Sequence, residues 1–242
     1  MQLPDVEVRV PVNLQDWLDL TFLHWPYPPE QVQRLLPRGL TVQQWDDVTW
    51  VGVIPFTMAN VRVPHLPTIP RWGSFAELNV RAYVTGPDGR EGIWFLGMLV
   101  DRLSFALALR SIGLPYSRSE SEVRTVGSRI DYRFGAPGPL GPHDAEWFRA
   151  SVSVGEPLRD EERSPLVDTL TARWTAFHRR GILWRTPVNH PAWPLHRATV
   201  VGDLTAPLRW VGLPEPGGPP LVQASPGVRV RLGTLRPARA GS

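Results

Sequence analysis

Residues 74–117 read SFAELNVRAYVTGPDGREGIWFLGMLVDRLSFALALRSIGLPYS, and the parsing of this block decides the fold. Phe75–Val84 and Gly92–Val100 are strand-like runs on either side of the turn residues Gly86-Pro87-Asp88-Gly89. Leu103–Ile112 follows Asp101 as a helix, and Gly113 stands where a helix closes on a left-handed residue. The first strand has two chemical faces. With side chains alternating, Glu77, Asn79, Arg81 and Tyr83 share one face, and Leu78, Val80, Ala82 and Val84 share the other. The second strand, with Ile93-Trp94-Phe95-Leu96, is apolar on both faces, which is the pattern of a strand buried on both sides. Its hairpin partner is then expected to be covered on both sides too, which turns the polar face toward an interior.

Outward from this block, further short strands are expected at Thr49–Phe56, Arg129–Phe134, Trp147–Val154, Ile182–Arg185, Arg197–Val201 and Val228–Leu232. Many short strands with few helices suggest a barrel or a sandwich in one mainly β, α+β domain spanning 1–233. Two more helices are expected. Pro29–Leu36 is short and stops at Pro37, while Pro165–Arg180 begins with Ser164 as its cap and ends at Gly181. Residues 135–143 and 213–227 read as Pro/Gly-rich connections, and 234–242 as a frayed, disordered tail.

Composition removes several chemistries. All 26 basic residues are Arg, so there is no lysine side chain for a Schiff base, a P-loop or a kinase site. With no Cys there are no disulfides, thiolate nucleophiles or Cys-held metals. Histidines 24, 65, 143, 178, 190 and 196 show no HExxH spacing, and neither a Gly-x-Ser-x-Gly elbow nor a GxGxxG turn is present. No metal and no cofactor is therefore expected. The pI near 9.9 overstates the basic character, because the formal net charge is only +3 and the arginines are scattered among 23 acidic residues. No nucleic acid and no membrane is expected as a partner, and the expected location is cytoplasmic. A homo-oligomer is left open.

The run Phe75-Ala76-Glu77-Leu78-Asn79-Val80-Arg81-Ala82-Tyr83-Val84, followed by Gly92-Ile93-Trp94-Phe95, resembles the hallmark of the YqjF-like family of uncharacterised bacterial proteins. Similar matches run through His24-Trp25, Leu36–Leu40, Trp50-Val51-Gly52 with Pro55-Phe56, Gly113-Leu114-Pro115-Tyr116 and His190–Leu195. That family is more distantly similar to acetoacetate decarboxylase and its relatives. The resemblance implies an antiparallel β-barrel with a few flanking helices and a substrate held inside it. It matches the decarboxylases' key Glu with Glu77, their Leu-Asp with Val100-Asp101 and their Ala-rich helix with Leu103–Ile112. Their Gly-Phe-Pro-Lys-Lys becomes Gly113-Leu114-Pro115-Tyr116-Ser117, so both lysines are gone. The resemblance thus implies the fold and a pocket, and the absence of lysine denies the Schiff-base reaction.

The expected ligand-binding residues are Glu77, Asn79, Arg81, Tyr83, Trp94, Tyr116 and His190, of which Glu77 and Tyr116 are the catalytic candidates. Arg81 would clamp a carboxylate by paired hydrogen bonds, and Glu77 and Tyr116 would set orientation and proton inventory. Three functions are consistent with this set. The first is a binder of a small organic acid. The second is a lysine-independent enzyme on a keto-acid-like or cyclic substrate, with Glu77 or Tyr116 as acid or base. The third is a structural or interaction protein whose barrel is filled and whose Glu and Arg form only an internal network.

Overall fold

The computed structural model describes residues 7–66, 73–137 and 146–239. The elements in chain order are β1 (Asn13–Tyr27), α1 (Pro29–Gln33), β2 (Thr41–Val42), β3 (Thr49–Arg62), β4 (Ser74–Thr85), β5 (Glu91–Val100) and α2 (Leu103–Arg110). There follow β6 (Tyr116–Arg118), β7 (Ser121–Val126), β8 (Arg129–Gly135), β9 (Trp147–Pro157), α3 (Pro165–Thr171) and β10 (Thr175–Arg180). The chain continues with β11 (Ile182–Asn189), β12 (His196–Asp203), α4 (Ala206–Trp210), β13 (Leu221–Leu232) and β14 (Arg236–Pro237). The hairpin expected from the 74–117 block is present. Gly86 N–H donates to Arg90 O at 2.8 Å, and Gly89 takes a positive φ of 73° that a side chain would strain.

β11, β10, β5, β4, β3, β1 and β13 are hydrogen-bonded in that order, and a pairing of β11 with β13 at Val188–Leu232 closes them into a ring. β12, β9, β8 and β7 continue from β13 as a wing. This is the mainly β, barrel-like α+β architecture expected, with one correction to its strand directions. Pairings are antiparallel except β10 against β5 and β5 against β6, which are parallel.

Two apolar clusters fill the two faces of the ring. The inner one takes Leu20 and Phe22 from β1, Ile54, Phe56 and Met58 from β3, Ile93, Met98 and Val100 from β5, and Val228 and Val230 from β13. α2 adds Phe105 and Ala106, and α3 adds Val167 and Leu170 to the same cluster. The outer cluster packs the alternate residues, such as Leu23, Val53, Leu78 and Val80, against Tyr132, Phe134, Phe148 and Val152 of the wing. Strands buried on both faces are continuous apolar runs for this reason.

Other expectations need correction. The helix begun at Ser164, whose Oγ accepts from Val167 N–H, ends at Thr171, and Thr175–Arg180 is a strand. Ring closure explains this, because Ala176 and Phe177 are needed beside Ile93 and Trp94 of β5. The helix expected at Pro29–Leu36 is regular only to Gln33. The connection expected over 213–227 gives way to β13 at Leu221. The segment from 234, expected to fray, is held by pairing of Arg236-Pro237 with Trp184-Arg185, and Ala238 is buried. Residues 240–242 of that tail, and 138–143 of the expected loop with His143, lie outside the described residues. No helix among the described residues is long and apolar enough to cross a membrane.

Candidate binding site inside the ring

The polar face of β4 points inward, because it alternates with Leu78, Val80, Ala82 and Val84 of the outer cluster while Phe75 and Tyr83 join the inner one. Glu77, Asn79, Arg81 and Tyr83 are all buried, and they divide into two groups rather than one row of equivalent ligands.

The first group is built around Arg81, which is 6% exposed. Its Nε donates to the Tyr83 hydroxyl at 3.0 Å and one Nη donates to the Leu170 carbonyl at 3.0 Å, at the end of α3. The guanidinium lies over the rings of Phe22 and Tyr83, at 5.5 and 5.3 Å. Cross-strand register supplies the rest. Gly52 of β3 stands between His24 of β1 and Arg81 of β4, and a side chain at 52 would press on the His24 ring and on Ile54. His24, fully buried, then reaches the Tyr83 hydroxyl with Nε2 at 2.6 Å, and its Nδ1 has no partner among the described residues. Burial first, and the nearby Arg81 second, hold the His24 imidazole well below its ordinary value and thus neutral. A second guanidinium, that of Arg173, sits 5.6 Å from the Tyr83 ring and donates to Gln43 Oε1 at 2.8 Å. Arg173 also faces the Glu91 carboxylate at 3.7 Å.

His190 closes this end within a cage of Trp17, Trp174 and Trp193. Burial lowers its titration, Arg81 lowers it further, and the backbone of Pro191 and Arg173 opposes the shift. A cavity of about 330 Å³ opens beside Tyr83, bounded by Gln43, Trp50, Tyr83, Glu91, Leu170 and Arg173. Two of its walls, Tyr83 and Leu170, are the hydrogen-bond partners of Arg81. The size falls in the range of small-molecule sites.

The second group is Glu77 with Tyr116. The Tyr116 hydroxyl donates to Glu77 Oε2 at 3.1 Å, beneath Phe75 and Phe105. Burial pushes the Glu77 carboxyl up to about 8, with the Tyr116 hydrogen bond opposing, so it is neutral at pH 7. Burial and the neighbouring Glu77 push Tyr116 well above its ordinary value. A lowered Tyr116, which acid–base duty near neutral pH would need, is therefore not what this environment produces. Tyr116 acts as a fixed donor. Asn79 lies one inward position from each group, and its buried Oδ1 has no partner among the described residues.

The structure thus brings Arg81, Tyr83 and His190 together, pairs Glu77 with Tyr116 separately, and leaves Asn79 between them. Trp94, expected to reach the same ligand, is on the opposite face of the sheet. It pairs with Ala82 and packs against the outer cluster, because its alternation puts it in phase with Leu96 rather than with Ile93. His24 and Arg173 belong to the site although composition did not single them out. His24-Trp25 and Trp50-Val51-Gly52 carried the signal for His24, since a glycine facing a histidine leaves room for its ring. Arg173 gave no signal, because its approach depends on α3 ending early. Among the described residues no three His, Asp or Glu side chains converge as metal ligands would.

Comparison with known proteins agrees with this architecture. The uncharacterized protein YqjF of Bacillus subtilis is 30% identical over 186 residues, which are 76% of this chain and 75% of that one. An acetoacetate decarboxylase-like enzyme from Sphingomonas wittichii RW1 superposes with a TM-score of 0.65 at 13% identity, covering 97% of this chain and 96% of that chain. The enduracididine biosynthesis enzyme MppR, in complex with pyruvate, gives 0.64 at 14% identity over 96% of this chain and 93% of that chain. These two likenesses establish the shared fold. The profile of one family matches residues 14–229 directly, and the chain belongs to that family, the DUF2071 group of uncharacterized conserved proteins.

Proposed function

We propose that this protein binds a small organic acid as its anion at the Arg81 end of the ring interior. The observation that carries the reading is the charge balance there. Arg81 is buried, and its partners among the described residues are the Tyr83 hydroxyl, the Leu170 carbonyl and the rings of Phe22 and Tyr83, none of them a carboxylate. Glu77, the acidic residue on its own strand face, is held neutral and bonded to Tyr116. A buried cation without a counter-charge costs several kcal/mol, and a ligand carboxylate entering from the adjoining cavity offsets that cost. Trp50, Tyr83 and Leu170 give the ligand's body an apolar wall, Gln43 with Arg173 supplies further donors, and Glu91, the carboxylate on the same lining, is met by Arg173 at 3.7 Å. MppR, which shares the fold, has been captured with pyruvate, and this supports a short 2-oxo acid as the first compound to try.

Catalysis by Glu77 and Tyr116 is a weaker reading, since the two satisfy each other and neither borders the Arg81-side cavity. Schiff-base chemistry on a lysine side chain is excluded because the chain has none. The test is calorimetric titration with pyruvate and with methyl pyruvate, which keeps the shape and lacks the charge. Saturable binding of pyruvate alone, at one site and with its proton NMR signals unchanged over hours, is the expected result. Equal binding of the ester, or none of the acid, would overturn the reading, and consumption of pyruvate would replace the binder with an enzyme.

A further inference from the structure

The face of β5 that points away from the ring is only partly covered. Trp94 and Leu96, with Leu78 and Val80 of β4, floor a cavity of about 450 Å³ whose far wall is Pro207, Trp210 and Val211 of α4 and its end. The Gly113–Ser117 loop closes one side. Two glycines set this spacing. A Cβ on Gly97 would press on Val211 Cγ1 at 3.0 Å, and one on Gly113, whose φ is +93°, would collide with the Arg179 carbonyl. A second hollow, walled by Leu35, Leu36, Pro37 and Arg179, shares Trp94 and Gly113 with the first.

Its polarity is one-sided. Arg110, at the end of α2, is the one charged side chain among the described residues that line the cavity, and no ion pair or hydrogen bond from those residues engages its guanidinium. A slot with aromatic and aliphatic walls and a single unpaired cation at its rim is complementary to an amphipathic anion.

We propose that this outer cavity is a second ligand site, distinct from the ring interior, for a medium-chain organic acid. Its carboxylate pairs with Arg110, and its hydrocarbon body lies along Trp94, Leu96 and Val211. Octanoate is the probe and 1-octanol its uncharged counterpart, both titrated calorimetrically into the intact protein. Octanoate should bind at one site per chain, and the alcohol about tenfold more weakly, the size of one charge-assisted hydrogen bond. Arg110→Gln, at the rim of the cavity, should weaken octanoate about tenfold and leave the alcohol unchanged. Val211→Trp should abolish binding of both by filling the slot. Because Arg110 and Val211 lie outside the ring, these losses report on this cavity and not on the Arg81 site. Absence of saturable octanoate binding at millimolar concentration, or affinity unchanged in both variants, would overturn the proposal.

Discussion

Along β4, Glu77, Asn79, Arg81 and Tyr83 alternate with apolar residues, and along β8, Arg129, Asp131 and Arg133 do the same. The first series is buried throughout, whereas Arg129 and Arg133 are exposed. Period-two polarity therefore does not say which face is wet. The neighbouring strands decide it. β3, on one side of β4, buries most of both its faces, β5 on the other side has only Glu91 exposed, and the ring closes over its inner side. β7 and β9, on either side of β8, set Glu122 and Arg149 beside Arg133 in register, and Trp147 lies 4.1 Å from the Arg133 guanidinium and 5.4 Å from that of Arg149. Such a surface ladder remains solvated and contributes little.

The largest effect expected from this contrast is at Glu77. Its carboxyl titrates near 8 when folded against an ordinary 4.5, so the native state holds the proton more tightly. Stability then falls as pH rises from the unfolded value through about 8, and levels off beyond. Glu77→Gln removes this loss while keeping an acceptor for Tyr116. Urea denaturation should show a gain of several kcal/mol at pH 9 and almost none at pH 4, since each tenfold difference in proton affinity between the folded and unfolded chain is worth about 1.4 kcal/mol. Parallel stability curves for the two proteins would mean that Glu77 is not buried as described.

Next in size is Gly52→Val, which pushes a side chain between His24 and Ile54 on the inner face. A cost of about 2 kcal/mol is expected by chemical denaturation, and a loss below about 0.5 kcal/mol would show the interior to be loosely packed. The smallest is Arg133→Gln on the wing, where less than about 0.5 kcal/mol should be lost. A melting-temperature drop matching that of the glycine variant would erase the distinction between the two faces.

Much of the fold was legible because local chemistry and tertiary demand coincide in it. β4, β5 and α2 follow from alternation, a Gly-rich turn and the Gly113 stop. β1, fifteen residues long and central to the ring, has no comparable local pattern. Its register against β3 shifts between Leu18 and Leu23, and Asp19 has a positive φ of 47°, so no single period runs through it. The Pro165–Arg180 segment misleads in another way. Its cap and first turn are helical by local signals, while Thr175–Arg180 is drawn into strand by the gap beside β5, which no local pattern encodes. Within the site, the inward face of β4 was readable from its neighbours. Trp94 was not, because adjacency along a hairpin does not imply a shared face, and alternation turns its indole outward.

The central claim is that Arg81 is kept in the ring for a ligand's charge and not for the stability of the empty protein. Arg81→Met fills similar space without a cation, and its most direct test is to measure unfolding free energy and pyruvate affinity on the same variant. The account predicts stability unchanged or raised, as when buried charges give way to packed apolar side chains, together with loss of pyruvate binding. A fall of more than about 3 kcal/mol with pyruvate binding retained would contradict it, and would make Arg81 part of a structural network.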